Sequence, residues 1–315
     1  MKAVLVREFG EPEVLTIGEA PDPVAEPGRV VVDVEFANTT FVETQFRATG
    51  AGPFAAKLPM VPGNGVGGVV AAVGPGVPAD LLGERVITST GGSGGYAERV
   101  AVDATAVFRV PPEVELDAAV ALLADGRTAT MMTRAAGIRA GERVLVEAAA
   151  GGVGSLIVQL AKAADATVVA AAGGARKLAV ARDLGADITV DYTEADWPDR
   201  VGDAVDVVFD GVGGDIGRAA FSLLGPGGRM VSFGLASGTW TAIGDEEAAA
   251  RDVTLVRPAA TQDELRAFTE SALAEAAAGR LRPIIGQRFP LAKAADAHRA
   301  IQSRATIGKT LLEAR

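Results

Sequence analysis

The stretch RVLVEAAAGGVGSLIVQLAKAA, residues 143–164, constrains the fold more than any other part of the chain. Its short apolar run predicts a strand, its burst of glycine a tight turn, and the remainder a helix opening at Val153. The same alternation continues downstream. "TVVAAA" leads into a helix over 175–184, "ITVDY" into a short segment over 194–201, and "AVDVVFDGVGG" into a helix over 215–224, before "RMVSFG" closes the series. Strands alternating with helices predict βαβ units and a doubly wound parallel sheet, an α/β fold.

In that context the glycine loop has a specific reading. The dinucleotide fingerprint G-x-G-x-x-G falls on Ala149, Gly151 and Gly154, with alanine in the first place. Gly151 lets the backbone approach a pyrophosphate, and Gly154 lets the helix pack closely on the strand. The helix N-terminus supplies unpaired N–H groups and a partial positive charge. A loop that only packs is the alternative, and the strand–helix units that follow in register disfavour it. The next strand end, "TVVAAAGGARKLAVARDLGAD", carries no acid at its tip to accept from a ribose 2′-hydroxyl. Arg176 and Lys177 stand there instead, suited to a 2′-phosphate, and Tyr192 can add a hydrogen bond. NADPH is therefore the expected cofactor, against the alternative of a solvated basic pair opening an exposed helix.

Up to about residue 110 the chain reads differently. Short β-like runs ("VLVREF", "RVVVDVEF", "GVGGVVAAVG", "ERVITST", "YAERVAV") are broken by turn signals such as "PDPVAEPG" and "VGPGVPAD". They predict a compact, antiparallel, barrel-like unit. Beyond "VTLVRP" come a long helix over 261–279 and then "IIGQRFP", "KAADAHRAIQ" and "GKTLLEA" as strand, helix and strand. This tail is expected to return to the first domain. The expected division is 1–112 completed by 260–315, around a nucleotide domain over 113–259.

Composition narrows the function classes. The 315 residues suit two domains, and the Ala, Val and Gly that supply most of the apolar fraction suit Val-rich strands under Ala-rich helices. A net charge of −10 argues against nucleic acid or an anionic membrane as partner. "MKAVLVREFG" reads as a first strand rather than a signal peptide, and no apolar run reaches the roughly 18 residues of a spanning helix. A cytoplasmic protein is expected. Cysteine is absent and His298 is the sole histidine, so a zinc site built from His and Cys is excluded by count.

These residues together resemble the zinc-independent medium-chain dehydrogenase/reductase superfamily, in its quinone oxidoreductase-like branch. The resemblance runs the whole length, through "VPGNGVGGVVAAVGPGV", "GGYAERV", "GRTA", "AAAGGVGSLIVQLAKA", "VDVVFDGVGG", "GPGGRMVSFG" and "AHRAIQSRATIGKTLLE". It implies a GroES-like β-barrel domain beside a Rossmann domain, an active site in the cleft between them, and a homodimer, often joined through the edge strand of the Rossmann sheet. It implies that Thr128, Gly152, Val153, Phe233, Gly234 and Leu235 line the pyrophosphate and nicotinamide. Lys177, Tyr192 and Arg304 match positions that meet the adenosine 2′-phosphate.

The resemblance also has departures. The family stretch N-x-x-D-x-x-x-R-x-G reads here as "TFVETQFRATG", with Thr40 for Asn, Glu43 for Asp and Gln45 where Tyr is frequent. Thr40 and Asn64 stand at positions where zinc members carry ligands, and Gly65 stands where Glu is usual. Thr40 and Gln45 are candidate hydrogen-bond donors to a substrate, and Tyr96 is a candidate proton donor or else a packed strand residue. Glu43 is expected to pair with Arg47, and His298 to be structural. The function implied is NADPH-dependent hydride transfer to a small quinone or α,β-unsaturated carbonyl. Two readings stay open beside it: a redox-neutral step such as a cyclisation, and a non-enzymatic nucleotide-binding protein.

Overall fold

A computed structural model of the chain describes residues 1–54 and 57–315. They form two compact units, Met1–Ala124 with Ile284–Arg315, and Asp125–Pro283. The first unit opens with β1 (Lys2–Leu5), β2 (Thr16–Glu19), β3 (Arg29–Thr39), α1 (Phe41–Thr49), β4 (Gly65–Val73), β5 (Arg85–Ser89), β6 (Arg99–Asp103), β7 (Val107–Arg109) and α2 (Leu116–Ala121). The second holds α3 (Arg127–Ala136), β8 (Arg143–Val146), α4 (Gly152–Ala163), β9 (Thr167–Ala172), α5 (Ala175–Asp183), β10 (Ile188–Asp191), α6 (Trp197–Val201) and β11 (Val205–Asp210). It continues with α7 (Gly214–Ser222), β12 (Leu224–Ser232), α8 (Asp245–Ala250), β13 (Thr254–Val256) and α9 (Gln262–Ala277). The chain then returns to the first unit with β14 (Ile285–Pro290), α10 (Ala294–Gln302) and β15 (Lys309–Glu313).

In the first unit, sheet order is β14-β15-β3-β4-β5-β7, with β6 also on β3. The β3, β4, β5 and β7 ladder is antiparallel, as the short, turn-punctuated runs predict. β14 and β15 depart from that pattern by running parallel. Their connection through α10 explains it, because a parallel pair needs a crossover and a tight turn cannot supply one. Val30, Val32, Val34, Val66, Val70 and Val86 meet Phe46 and Tyr96 in the core. β-branched residues suit such pleated, buried faces, and each fully buried valine contributes about 1.5–3 kcal/mol relative to exposure.

The second unit is a six-stranded sheet ordered β10-β9-β8-β11-β12-β13, parallel throughout. Its central strands β8, β9 and β11 are largely buried and so read as continuous apolar runs, "VVAAA" and "VVFD" among them. The strand order reverses between β8 and β11, which is where ligands bind in open α/β sheets.

Both domain boundaries fall later than the sequence suggests. α2 lies against β3, β4 and β5 and belongs to the first unit. α9 lies against α3 and belongs to the second, so the return comes at Ile284 rather than at residue 260.

Candidate functional site

At the carboxyl end of β8 the chain turns sharply. Gly151 N–H donates to the Ala148 carbonyl at 2.7 Å, and Ala149 N–H to the Ala171 carbonyl of β9 at 3.1 Å. Ala148 takes the left-handed conformation, φ 47°, which costs a side-chain-bearing residue energy and is typical of functional turns. α4 then begins at Gly152 with no side chain capping its first turn, so its leading N–H groups lack helical partners and suit an anion. A Cβ on Gly154 would collide with the Ala148 carbonyl oxygen. The close helix-to-turn approach therefore depends on hydrogen at that position. The Asp125 carboxylate lies against Gly152, from a π-helical turn over 122–126 that precedes half-buried Thr128. Val153 is half-buried and Ala149 fully buried.

The next two strand ends in the sheet form a second locus. Arg176 is exposed and Lys177 half-buried in the first turn of α5, where burial pulls the lysine below its ordinary pKa. The Tyr192 ring, just past β10, flanks Gly173. Asp191 holds this locus together. Its Oδ2 accepts from Gly174 N–H at 2.9 Å, and its Oδ1 from Thr193 N–H and Oγ1–H at 3.0 and 2.6 Å. These three bonds keep its carboxyl below the usual range despite burial. Arg304 is placed in the other unit, exposed and left-handed at φ 56° after α10.

A third locus lies past β11 and β12. Phe233 and Gly234 N–H both donate to the Asp210 carbonyl, at 2.8 and 3.3 Å. The Phe233 ring packs on Gly211, which also approaches the Ala148 side chain. Leu235 follows, half-buried. Phe233 and the glycine turn are thus brought to one place. A pocket of about 330 Å³ opens beside it, lined by Met132, Met230, Ser232, Trp240, Thr241 and Leu255 among others.

The first unit corrects several expectations. Thr40 caps α1: its hydroxyl donates to Glu43 Oε2 at 2.8 Å and accepts from Glu43 N–H at 3.3 Å. This is a reciprocal capping box, and it already occupies the Thr40 proton. Glu43 is not paired with Arg47. Its Oε1 accepts from Asn64 N–H at 2.9 Å, while Arg47 donates to the Gly10 carbonyl. Burial pushes the Glu43 carboxyl up against the pull of these hydrogen bonds. Gln45 is exposed on the same helix. A Cβ on Gly65 would run into the Asn38 amide.

Tyr96 is neither a strand residue nor a rim donor. It is fully buried in a bend, with Oη 3.0 Å from His298 Nε2. Burial and the nearby Glu43 charge raise its phenol well above 10, so it holds its proton. His298 is buried and pushed down to about 3 by burial and by Arg47, which makes it a neutral structural residue. Among the described residues no group of three or more His, Cys, Asp or Glu could hold a metal ion.

Sequence reasoning missed Glu147 and Asp210, two fully buried acids at the ends of β8 and β11. Each follows an apolar run, "RVLV-E" and "DVVF-D", and that signal was present. It also missed Arg127, half-buried next to Thr128, with no hydrogen-bond or ion-pair partner among the described residues and a pKa lowered by burial.

Comparison with known proteins places these observations. Residues 26–112 match the alcohol dehydrogenase GroES-like domain, and residues 184–312 match the zinc-binding dehydrogenase family. A probable quinone oxidoreductase of Schizosaccharomyces pombe is 36% identical, over 98% of this chain and 96% of that protein. A 2-haloacrylate reductase of a Burkholderia species is 29% identical, over 98% of each chain. The solved quinone oxidoreductase of Thermus thermophilus, also determined in complex with NADPH, is 32% identical with a TM-score of 0.82, over 99% of this chain and 100% of that one. Among the described residues, no helix is long and apolar enough to cross a membrane.

Proposed function

Since the chain belongs to the medium-chain dehydrogenase/reductase superfamily, in its quinone oxidoreductase-like branch, and is an NADPH-dependent oxidoreductase, we propose that it reduces quinones or α,β-unsaturated carbonyl compounds without a metal ion. One arrangement carries this reading: the uncapped α4 N-terminus and the Lys177–Tyr192 locus sit at neighbouring strand ends of one sheet. The first suits a pyrophosphate and the second an adenosine 2′-phosphate.

In this reading Ala149, Gly151, Gly152, Val153 and Gly154 form the phosphate turn, with Arg176, Lys177, Tyr192 and Arg304 on the 2′-phosphate. Thr128, Phe233, Gly234 and Leu235 line the nicotinamide end. When bound, NADPH would supply the hydride that reduces an electrophilic carbon of the acceptor, leaving NADP+, with a proton from water completing the product. The chain's own part is to orient the acceptor and stabilise its developing oxyanion by hydrogen bonding. Gln45 is the proposed donor. Thr40 can serve only by releasing its bond to Glu43, and Tyr96 has no part in the step.

Zinc does not fit these residues. The chain has no cysteine, and its sole histidine is buried against Tyr96. The proposed working form is a cytoplasmic homodimer joined along β13, an edge strand paired on one side only. The test is NADPH oxidation by the purified protein against small quinones, enones and enals, with NADH in parallel. Turnover with NADPH supports the reading. Tight NADPH binding without turnover on any acceptor overturns it, and product formed with no fall in reduced-nicotinamide absorbance would point to a redox-neutral step.

A further inference from the structure

Glu147 and Asp210 end adjacent parallel strands at the point where the sheet order reverses, and both side chains are fully buried. Both aim at one backbone N–H. Val212 N lies 3.2 Å from Glu147 Oε2 and 3.1 Å from Asp210 Oδ1. Asp210 has three donors of its own besides the shared Val212 N–H. Its Oδ1 also accepts from Gly213 N–H at 2.7 Å, and its Oδ2 accepts from Ser232 Oγ–H at 2.9 Å and Thr241 Oγ1–H at 2.7 Å. Those three donors mark it as the hydrogen-bond acceptor of the two. Glu147 is the opposite case, because its Oε1 is buried with no partner among the described residues. Neither acid forms an ion pair with a cation among the described residues, so no positive side chain offsets two negative charges at this spot. An unmatched buried acceptor beside a second, ionised carboxyl is costly, and a proton on it converts a repulsion into a hydrogen bond.

We propose that Glu147 is a protonated carboxylic acid that donates to Asp210, and that this acid–carboxylate pair is the clamp positioning the cofactor-facing turn. Burial and the Asp210 charge both push Glu147 well above the ordinary carboxyl range, in the same direction as the geometry.

The mechanical link is short. Asp210 side-chain bonds fix the 210–213 turn, whose carbonyls hold the segment after β12. Phe233 N–H and Gly234 N–H donate to Asp210, and Ser237 N–H to Val212 at 2.8 Å. Ser232 and Thr241, which complete the Asp210 shell, form part of the wall of the 330 Å³ pocket. Glu147 is thus a positioning residue. The positioning half of the proposal rests on the cofactor reading above, whereas the shared proton does not.

The experiment uses the full chain as wild type, Glu147→Gln and Glu147→Ala. Infrared difference spectra at neutral pH read the protonated carboxyl directly, and NADPH titration reads the position of the turn. A protonated-carboxyl band present in wild type and lost in Glu147→Gln is the expected result. Glutamine can still donate to Asp210 and accept from Val212, so it restores most of the NADPH affinity. Alanine removes the donor and weakens NADPH by roughly 5- to 100-fold. Thermal melts confirm that each variant is folded under the conditions of titration. Absence of the band overturns the shared proton. A band with unchanged NADPH affinity in folded Glu147→Ala overturns the positioning role. A wild type that shows the band and binds no NADPH overturns the positioning role together with the cofactor reading, and leaves the shared proton standing.

Discussion

Tyr96 Oη and His298 Nε2 meet at 3.0 Å inside the first unit, across a sequence separation of 202 residues. The bond ties the bend before β6 to α10, and so ties the returning tail to the body of its own unit. Because the phenol is held far from ionisation, Tyr96→Phe is expected to leave kcat within about twofold of wild type. The same change strands a buried imidazole nitrogen, so folding stability should fall by about 1–3 kcal/mol. Paired denaturant curves and steady-state rates check both halves.

A pH dependence follows from the same residue. His298 is pushed down from 6.5 to about 3 in the folded protein. Between those values the unfolded chain binds a proton that the native chain does not, so stability is gained as pH rises. The contribution is fully present above pH 6.5 and is lost as pH falls toward about 3. Glu43 and Glu147, whose carboxyls are pushed up, work in the opposite sense, but they are common to wild type and variant. Stability measured against pH should therefore fall less steeply on acidification in His298→Gln than in wild type. Identical slopes would contradict a buried neutral His298.

Much of the second unit is legible in the sequence because local signals and global fold agree there. Val-rich runs, the glycine turn and the helix after it all point to one parallel sheet, and each sits where it was read. The tail was harder. "KAADAHRAIQ" has an amphipathic helical pattern, but nothing local states that β14 and β15 run parallel, since strand direction is decided by the path of the connection. The partners of Tyr96 and Thr40 are hidden from the sequence for a different reason. Sequence spacing gives a residue's neighbours along the chain, whereas their partners, His298 and the Glu43 carboxylate, are fixed by packing. The T-x-x-E capping signature at Thr40 is the local signal that fits the observed cap.

Lys177→Ala tests the 2′-phosphate locus. Loss of one partly exposed charge-assisted contact should weaken NADPH binding by about 1–2 kcal/mol. NADH, which lacks that phosphate, should bind nearly as before. Calorimetric titration of both cofactors separates the cases, and equal losses would contradict the assignment.

Gly154→Ala tests the turn itself. The added methyl meets the backbone carbonyl of Ala148, which cannot swing aside as a flexible side chain would. Overpacking of this kind typically costs about 1–3 kcal/mol. The expected outcome is a lower melting temperature together with weaker NADPH binding, checked by thermal melts at several NADPH concentrations.

Direct hydride transfer from NADPH to a conjugated acceptor is read by following an isotopic label. NADPH carrying deuterium at the transferring C4 position is incubated with the protein and a small enone or quinone, and the product is examined by mass spectrometry and NMR. For an enone the predicted result is one deuterium on the carbon β to the carbonyl, with a kcat/KM for NADPH well above that for NADH. For a quinone it is stoichiometric NADPH oxidation to the quinol. Enone product without deuterium, or no consumption of NADPH with any acceptor, would contradict the account.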